Sequence, residues 1–187
     1  MATKTDKRKT IDKILISLGA VATVVLLIVG GLAWWAHSFI TNNVRTELAA
    51  QKIYFPAAGS PALTSLPAAD QNKVTPYAGQ QVLDGRQAKV FANNFIAVHL
   101  SEVAGGQTYA EVSAQAVKDP TNAKLQGQAN TLFKGETLRG LLLGDAYAFW
   151  TMGYIAQVSA IIFLVGGAIM AVLVLMGLGH LAIISKR

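Results

Sequence analysis

Residues 14–35 read ILISLGAVATVVLLIVGGLAWW, 22 consecutive positions without a charge. As a helix rising about 1.5 Å per residue they reach roughly 33 Å, which covers a hydrocarbon core of about 30 Å. A core helix of a soluble protein keeps a polar stripe for its solvent side, and this segment is apolar on every face. The run is too long for the apolar region of a cleaved signal peptide, about 7 to 15 residues. It also ends in Ala33-Trp34-Trp35-Ala36, with large rings where a cleavage site takes small residues. The reading is an uncleaved signal anchor over residues 14–36, with the tryptophan pair in the interfacial belt.

A second uncharged stretch runs from Ala146 to Ile184, longer than a bilayer requires. Residues 153–184 are assigned to a second span, in which nothing polar occurs from Ala160 to Leu178. The whole chain agrees: it has 187 residues, 52% of them hydrophobic, and a mean hydropathy of +0.41. Two spans in so short a chain leave room for one small domain and exclude a large two-domain enzyme. Cysteine is absent from the sequence, which excludes disulfides, thiolate metal sites and cysteine nucleophiles together.

Charge orients the chain. Residues 1–13 carry five basic and two acidic groups, residues 37–152 nine and eight, and the end at 185–187 two basic groups. Basic flanks favour the cytoplasmic side, so both termini are expected there and residues 37–152 outside. The lipid bilayer is thus the first partner. The basic tail is short and has no interleaved aromatics, so topology accounts for it and no nucleic-acid partner is expected.

Between the spans the pattern is helical. His37 to Lys52 places Val44 and Leu48 at helical spacing, as if the first span continued outward as a stalk. Pro56, Pro61 and Pro67 then punctuate residues 53–85, expected to form an extended Pro-rich loop. From Arg86 to Val103 the apolar positions fall on one helical face, and Gly105-Gly106 ends it. Thr108 with Glu111 three residues on reads as a capping box for a helix over Tyr109–Val117. After Asp119-Pro120 a third helix starts near Thr121 or Asn122 and is expected to break or bend at Gly135 before running into the second span. No alternating strand pattern is found. The fold class is therefore an all-α membrane protein, two transmembrane helices extended as stalks into a small helical extracytoplasmic domain.

Three histidines are the obvious titratable catalysts. His99 lies at the edge of an apolar stripe with Glu102 at i+3, spacing that pairs the two. A metal would need more, for example His37, Glu102 and His99 as a facial triad. Arg139, Glu136 and Asp145 cluster before the second span, and ionisable groups at that level are candidates for partner contact, with Glu47, Arg45 or His37 as possible counterparts. Gly167 and Ala171, four apart, form a small-residue packing face. No GxSxG, HExxH, P-loop or GxGxxG occurs, so no catalytic residue, metal or cofactor is assigned.

The runs QKIYFP (51–56), PYAGQQVLDGRQAKVFANNFIAVHLSEVAGGQTYAEVSA (76–114) and TLFKGETLRGLLLGDAYAFW (131–150) resemble an uncharacterised family of actinobacterial two-span membrane proteins. Some members carry the label of an aromatic ring-opening dioxygenase. Such an enzyme needs an iron ligand set, for which this chain offers His99 and His37, and no family site residue carries over. The leading reading is a non-enzymatic membrane protein whose outer helical domain binds other membrane proteins or a second copy, as an accessory subunit of a cell-envelope complex. The alternative is the ligand-binding input of a sensor lacking its own output domain, since a span, an outer helical domain and a second span make up the input half of many bacterial receptors, and the third reading is a metal-dependent membrane enzyme.

Overall fold

A computed structural model describes residues 4–185. Lys186 and Arg187, which carry the expected basic end, lie outside the described residues. The described chain is helical: α1 (Lys4–Gln51), α2 (Pro61–Thr64), α3 (Ala68–Val74), α4 (Gly85–Val90), α5 (Ala97–Ala104), α6 (Tyr109–Lys118), α7 (Ala123–Leu141) and α8 (Phe149–Ser185). A 3₁₀ turn follows α3, and two wider π-helical segments, Phe91–Ile96 and Leu142–Ala148, join α4 to α5 and α7 to α8. The chain divides into two compact units, one containing the helices up to Phe39 and from Gly153, the other Ile40–Met152.

In the first unit α1 and α8 run antiparallel, packed through glycine. The missing side chain of Gly30 is filled by Leu164, that of Gly167 by Leu27, that of Gly19 by Val174 and that of Gly177 by Ile16. Small residues let helix backbones approach closely where no hydrophobic effect drives them together. Gly153, Ala160 and Gly167 are the buried positions of α8, whereas Val21, Leu32, Ile162 and Leu175 stand more than 60% exposed. A helix pair with small residues inside and large apolar ones outside suits a lipid solvent. Both helices are long and apolar enough to cross a membrane. Gly167 packs against Leu27, and Ala171, four residues on, is half-buried.

The second unit has its own core. Val44 and Leu48 of α1 pack with Phe55, Val74, Val82 and Phe91, and Leu100, Leu132 and Leu142 extend the cluster. Phe55 stacks on Tyr77 and meets Phe91 edge-on, each at 5.2 Å between ring centroids. α1 stops where Lys52 takes a left-handed φ of 53°, four residues before Pro56.

The Pro-rich segment 53–85 is not the extended loop its composition suggests. Pro61 sits in the first turn of α2, and α3 opens directly after Pro67. Proline in a first turn removes an N–H that has no helical acceptor and presets φ, so it starts helices as well as stopping them. The segment folds back on itself through Phe55 N–H to the Gln80 carbonyl and Val82 N–H to the Ile53 carbonyl, both 2.9 Å. Leu63, Leu66, Val74 and Val82 bury their side chains beneath it.

Side-chain and glycine caps close the helix ends. Asp84 accepts from Gln87 N–H at the start of α4, and the Gln87 amide oxygen accepts from Leu83 N–H. At the end of α5, Gly106 N–H reaches the Ser101 carbonyl at 2.8 Å and Gly105 N–H the Glu102 carbonyl at 3.3 Å. That pair of bonds needs a left-handed residue, which Gly105 supplies at φ 59°. Thr108 and Glu111 complete the capping box of α6, and Asn122 caps α7 through Leu125 N–H.

α7 does not break at Gly135. It runs unbroken through that position because the helix there faces Leu100, whose side chain occupies the space a Cβ would take. Glycine is present for close approach, and the irregularity falls instead at the π segment Leu142–Ala148.

Candidate functional site

Two of the histidines, His99 and His37, each engage a backbone carbonyl through Nδ1. His99 Nδ1 lies 2.9 Å from the Phe95 carbonyl oxygen; a carbonyl can only accept, so Nδ1 carries the proton and donates. Its ring packs against Phe95 at 4.5 Å between centroids. Glu102 stays exposed, and no hydrogen bond or ion pair joins it to His99 among the described residues, contrary to the pairing its spacing suggests. The bond one turn back holds the imidazole along its own helix. His37 Nδ1 likewise donates to the Gly153 carbonyl at 2.9 Å, tying α1 to α8, with Trp34 beside it. Among the described residues no three His, Asp or Glu side chains come together at metal-ligand spacing, so His37, Glu102 and His99 are not assembled into a triad.

Arg139 is placed by α7 against the first π segment. Its Nε donates to the Ala92 carbonyl at 3.1 Å, and its two terminal nitrogens reach Glu136 at 2.7 Å and Asn93 at 3.4 Å. Its partners are thus on α7 and the neighbouring π segment, where the sequence reading had offered Glu47, Arg45 or His37. A π turn leaves its backbone wider and less regular than an α turn, and a planar guanidinium with five donors can satisfy several acceptors at such a place. Asn94 of the same segment donates to Asp70 at 2.7 Å, binding it to α3.

Asp145 lies in the second π segment, exposed, and faces a cavity of about 410 Å³. One wall of the cavity is α1, through Asn43, Glu47 and Gln51 beside Val44 and Leu48; the other comprises Leu141, Asp145, Phe149 and Met152 with their neighbours. Two carboxylates, two amides and an apolar wall therefore share one concavity. The sequence offers Glu47 as a stalk counterpart to this cluster, whereas Asn43 and Gln51 escape it although the i, i+4, i+8 spacing of the three marks a polar stripe adjoining Val44 and Leu48. The signal was there; the π segment that forms the opposite wall has no such signature.

A cation–aromatic pair of contacts closes the other side of the same helical unit. Arg86 lies 5.0 Å over the Trp150 ring, and Lys89 Nζ lies 4.5 Å over the Tyr147 ring and 3.0 Å from its hydroxyl. The hydrogen bond from Lys89, reinforced by its charge, lowers the Tyr147 pKa below the usual phenol value. Glu111 is lowered too, by the Thr108 backbone N–H and hydroxyl that bond its carboxylate in the capping box.

Comparison with protein-family models, with curated proteins and with solved structures finds no match.

Proposed function

We propose that this chain is a non-enzymatic integral membrane protein, anchored by α1 and α8 with both termini cytoplasmic, whose residues 37–152 bind other proteins on the extracytoplasmic side as an accessory subunit of a cell-envelope complex. The observation that carries the reading is an exposed aromatic pair: Tyr109 of α6 and Phe133 of α7 stand 5.8 Å apart, 39% and 55% exposed. Val117, at 76%, is the most exposed large hydrophobic residue of the same helices. Aromatic side chains left in water are typical of the anchors of protein interfaces. The resemblance of residues 51–56, 76–114 and 131–150 to an actinobacterial two-span family supports the envelope setting.

The test is native mass spectrometry of the tagged protein in gentle detergent, beside a Tyr109→Ser, Phe133→Ser variant. A second polypeptide, or a second copy, held at fixed stoichiometry by the wild type and released by the variant is the expected result. A bare monomer in both would overturn the reading. Topology has its own test, made clean by the absence of native cysteine. A cysteine at Gln107 should react with an impermeant maleimide on intact cells, and one at Lys9 only after lysis.

The cavity beside Asp145 favours a second reading, the input half of a sensor that recognises a small ligand.

A further inference from the structure

Two cations of α4 are fixed on two aromatic rings at the approach to the second span. Gly85, which opens α4, is buried, and the space its Cβ would take is filled by the Trp150 side chain. That contact presses α4 onto the beginning of α8. It carries Arg86 Cζ to 5.0 Å over the Trp150 ring and Lys89 Nζ to 4.5 Å over the Tyr147 ring. Both cations are exposed, and neither meets a carboxylate among the described residues. Asp84, beside them in sequence, is taken up by Gln87 N–H. A ring face holds a guanidinium through its charge and uses none of its N–H donors. Arg86 forms no hydrogen bond among the described residues, so all five donors stay available. Lys89 gives one of its three to the Tyr147 hydroxyl at 3.0 Å.

Trp150 belongs to α8 and precedes Gly153, the start assigned to the second span, by three residues, or about 4.5 Å of helix. The polar layer on each side of a bilayer's hydrocarbon core is about 5–7 Å thick. A cation stacked on Trp150 therefore stands at headgroup depth. We propose that Arg86 and Lys89, backed by Trp150 and Tyr147, form a site for the phosphate of an anionic phospholipid in the leaflet that α8 enters. A planar guanidinium can take two phosphate oxygens at once, and an ammonium adds a point charge beside it. Choline carries its own positive charge, which both cations repel, so a headgroup of net negative charge is selected. Trp150 has the amphipathic ring found at membrane interfaces. The inference goes beyond protein binding and rests on the reading of α8 as a membrane span.

The chain has three tryptophans, so Trp34→Phe with Trp35→Phe leaves Trp150 as the only reporter. This full-length variant is reconstituted in phosphatidylcholine vesicles containing rising fractions of phospholipid brominated on the acyl chain, either phosphatidylglycerol or phosphatidylcholine. Quenching of Trp150 gives the relative binding constants of the two headgroups. A preference of about fivefold or more for phosphatidylglycerol is expected from two cations at the surface. Adding Arg86→Gln and Lys89→Gln should abolish it, whereas Lys118→Gln with Lys124→Gln, which removes the same charge elsewhere, should keep it. Equal quenching by the two lipids, or an equal loss in the Lys118, Lys124 variant, would overturn the site. So would a preference erased by inorganic phosphate and not by chloride of the same ionic strength, since the cations would then serve a soluble anion. The converse variant, Trp150→Phe, tests the anchor by itself. Quenching of Trp34 and Trp35 there, with Trp150 unquenched in the first variant, would overturn the site and keep the anchor; no quenching in either would overturn both. The comparison of the two lipids decides the matter even where the Arg86, Lys89 variant fails to fold.

Discussion

Arg139 Nε donates to the Ala92 carbonyl across 3.1 Å, joining α7 to the π segment that links α4 and α5, forty-seven residues away in sequence. Ala92 also accepts from Ala97 N–H, the i to i+5 bond of the π turn, so its carbonyl uses both lone pairs. Replacing Arg139 by Met keeps the length of the side chain and removes every donor. Hydrogen bonds to a charged partner contribute about 1.5–3 kcal/mol, and a loss of stability in that range is expected. Arg139→Lys should recover little, because an ammonium cannot serve Ala92, Asn93 and Glu136 in one plane. Glu136→Gln, at an exposed ion pair, should cost less than about 1 kcal/mol. Thermal unfolding followed by circular dichroism ranks the three; equal effects of Arg139→Met and Glu136→Gln would mean that the backbone bond contributes nothing.

Gly127 and Gly135 lie on one helix and should respond oppositely to alanine. Gly127 has open space where a Cβ would go, whereas at Gly135 that space is taken by Leu100. Alanine is favoured over glycine in a helix by about 1 kcal/mol, so Gly127→Ala should raise the melting temperature. At Gly135 the gain is outweighed by overpacking, typically about 1–3 kcal/mol, and the melting temperature should fall. A stabilised Gly135→Ala would show that Leu100 moves aside freely.

These two sites also show why part of the fold was legible and part was not. The apolar runs, the Thr108–Glu111 box, the Gly105-Gly106 stop and the helix start near Asn122 are local, and local chemistry is written in neighbouring residues. Gly135 read as a break because its reason, Leu100, lies thirty-five positions earlier. Pro61 and Pro67 read as loop because the burial of Leu63 and Leu66 that holds their short helices is tertiary. Of the candidate site, Asp145 is legible as an ionisable group near the second span and Glu47 as a stalk counterpart, whereas Asn43, Gln51 and the π segment that shapes the opposite wall are not. The His99–Glu102 pairing failed because spacing permits contact without deciding between a carboxylate and the Phe95 carbonyl one turn back.

Glu111 supplies a pH dependence whose sign follows from its bonds. Its folded-state pKa lies below the ordinary carboxylate value of 4.5, so the ionised form is favoured in the native state. The stability it contributes is present above the unfolded value and is lost as pH falls through the folded one. The wild type should therefore exceed a Glu111→Ala variant in stability by its full margin from pH 6 to 7, and that margin should shrink as the solution is acidified below about 4.5. Parallel melting curves across that range measure it; a margin that grows on acidification would refute the assignment.

Tyr147 runs in a different window. Lys89 holds its phenol below the usual value of 10.0, so the phenolate is favoured in the folded protein. The linked stability is complete only above the unfolded pKa and is lost as pH falls through the folded one, leaving no ionisation-linked contribution at neutral pH. Lys89→Met removes both the hydrogen bond and the charge, and should move the Tyr147 titration back up toward that of an ordinary tyrosine. With five tyrosines in the chain, the ultraviolet difference titration of wild type against Tyr147→Phe isolates the one curve that must move. If that curve is unchanged by Lys89→Met, the contact does not persist in solution, and the Lys89–Tyr147 bond cannot be what joins α4 to the second π segment on that face.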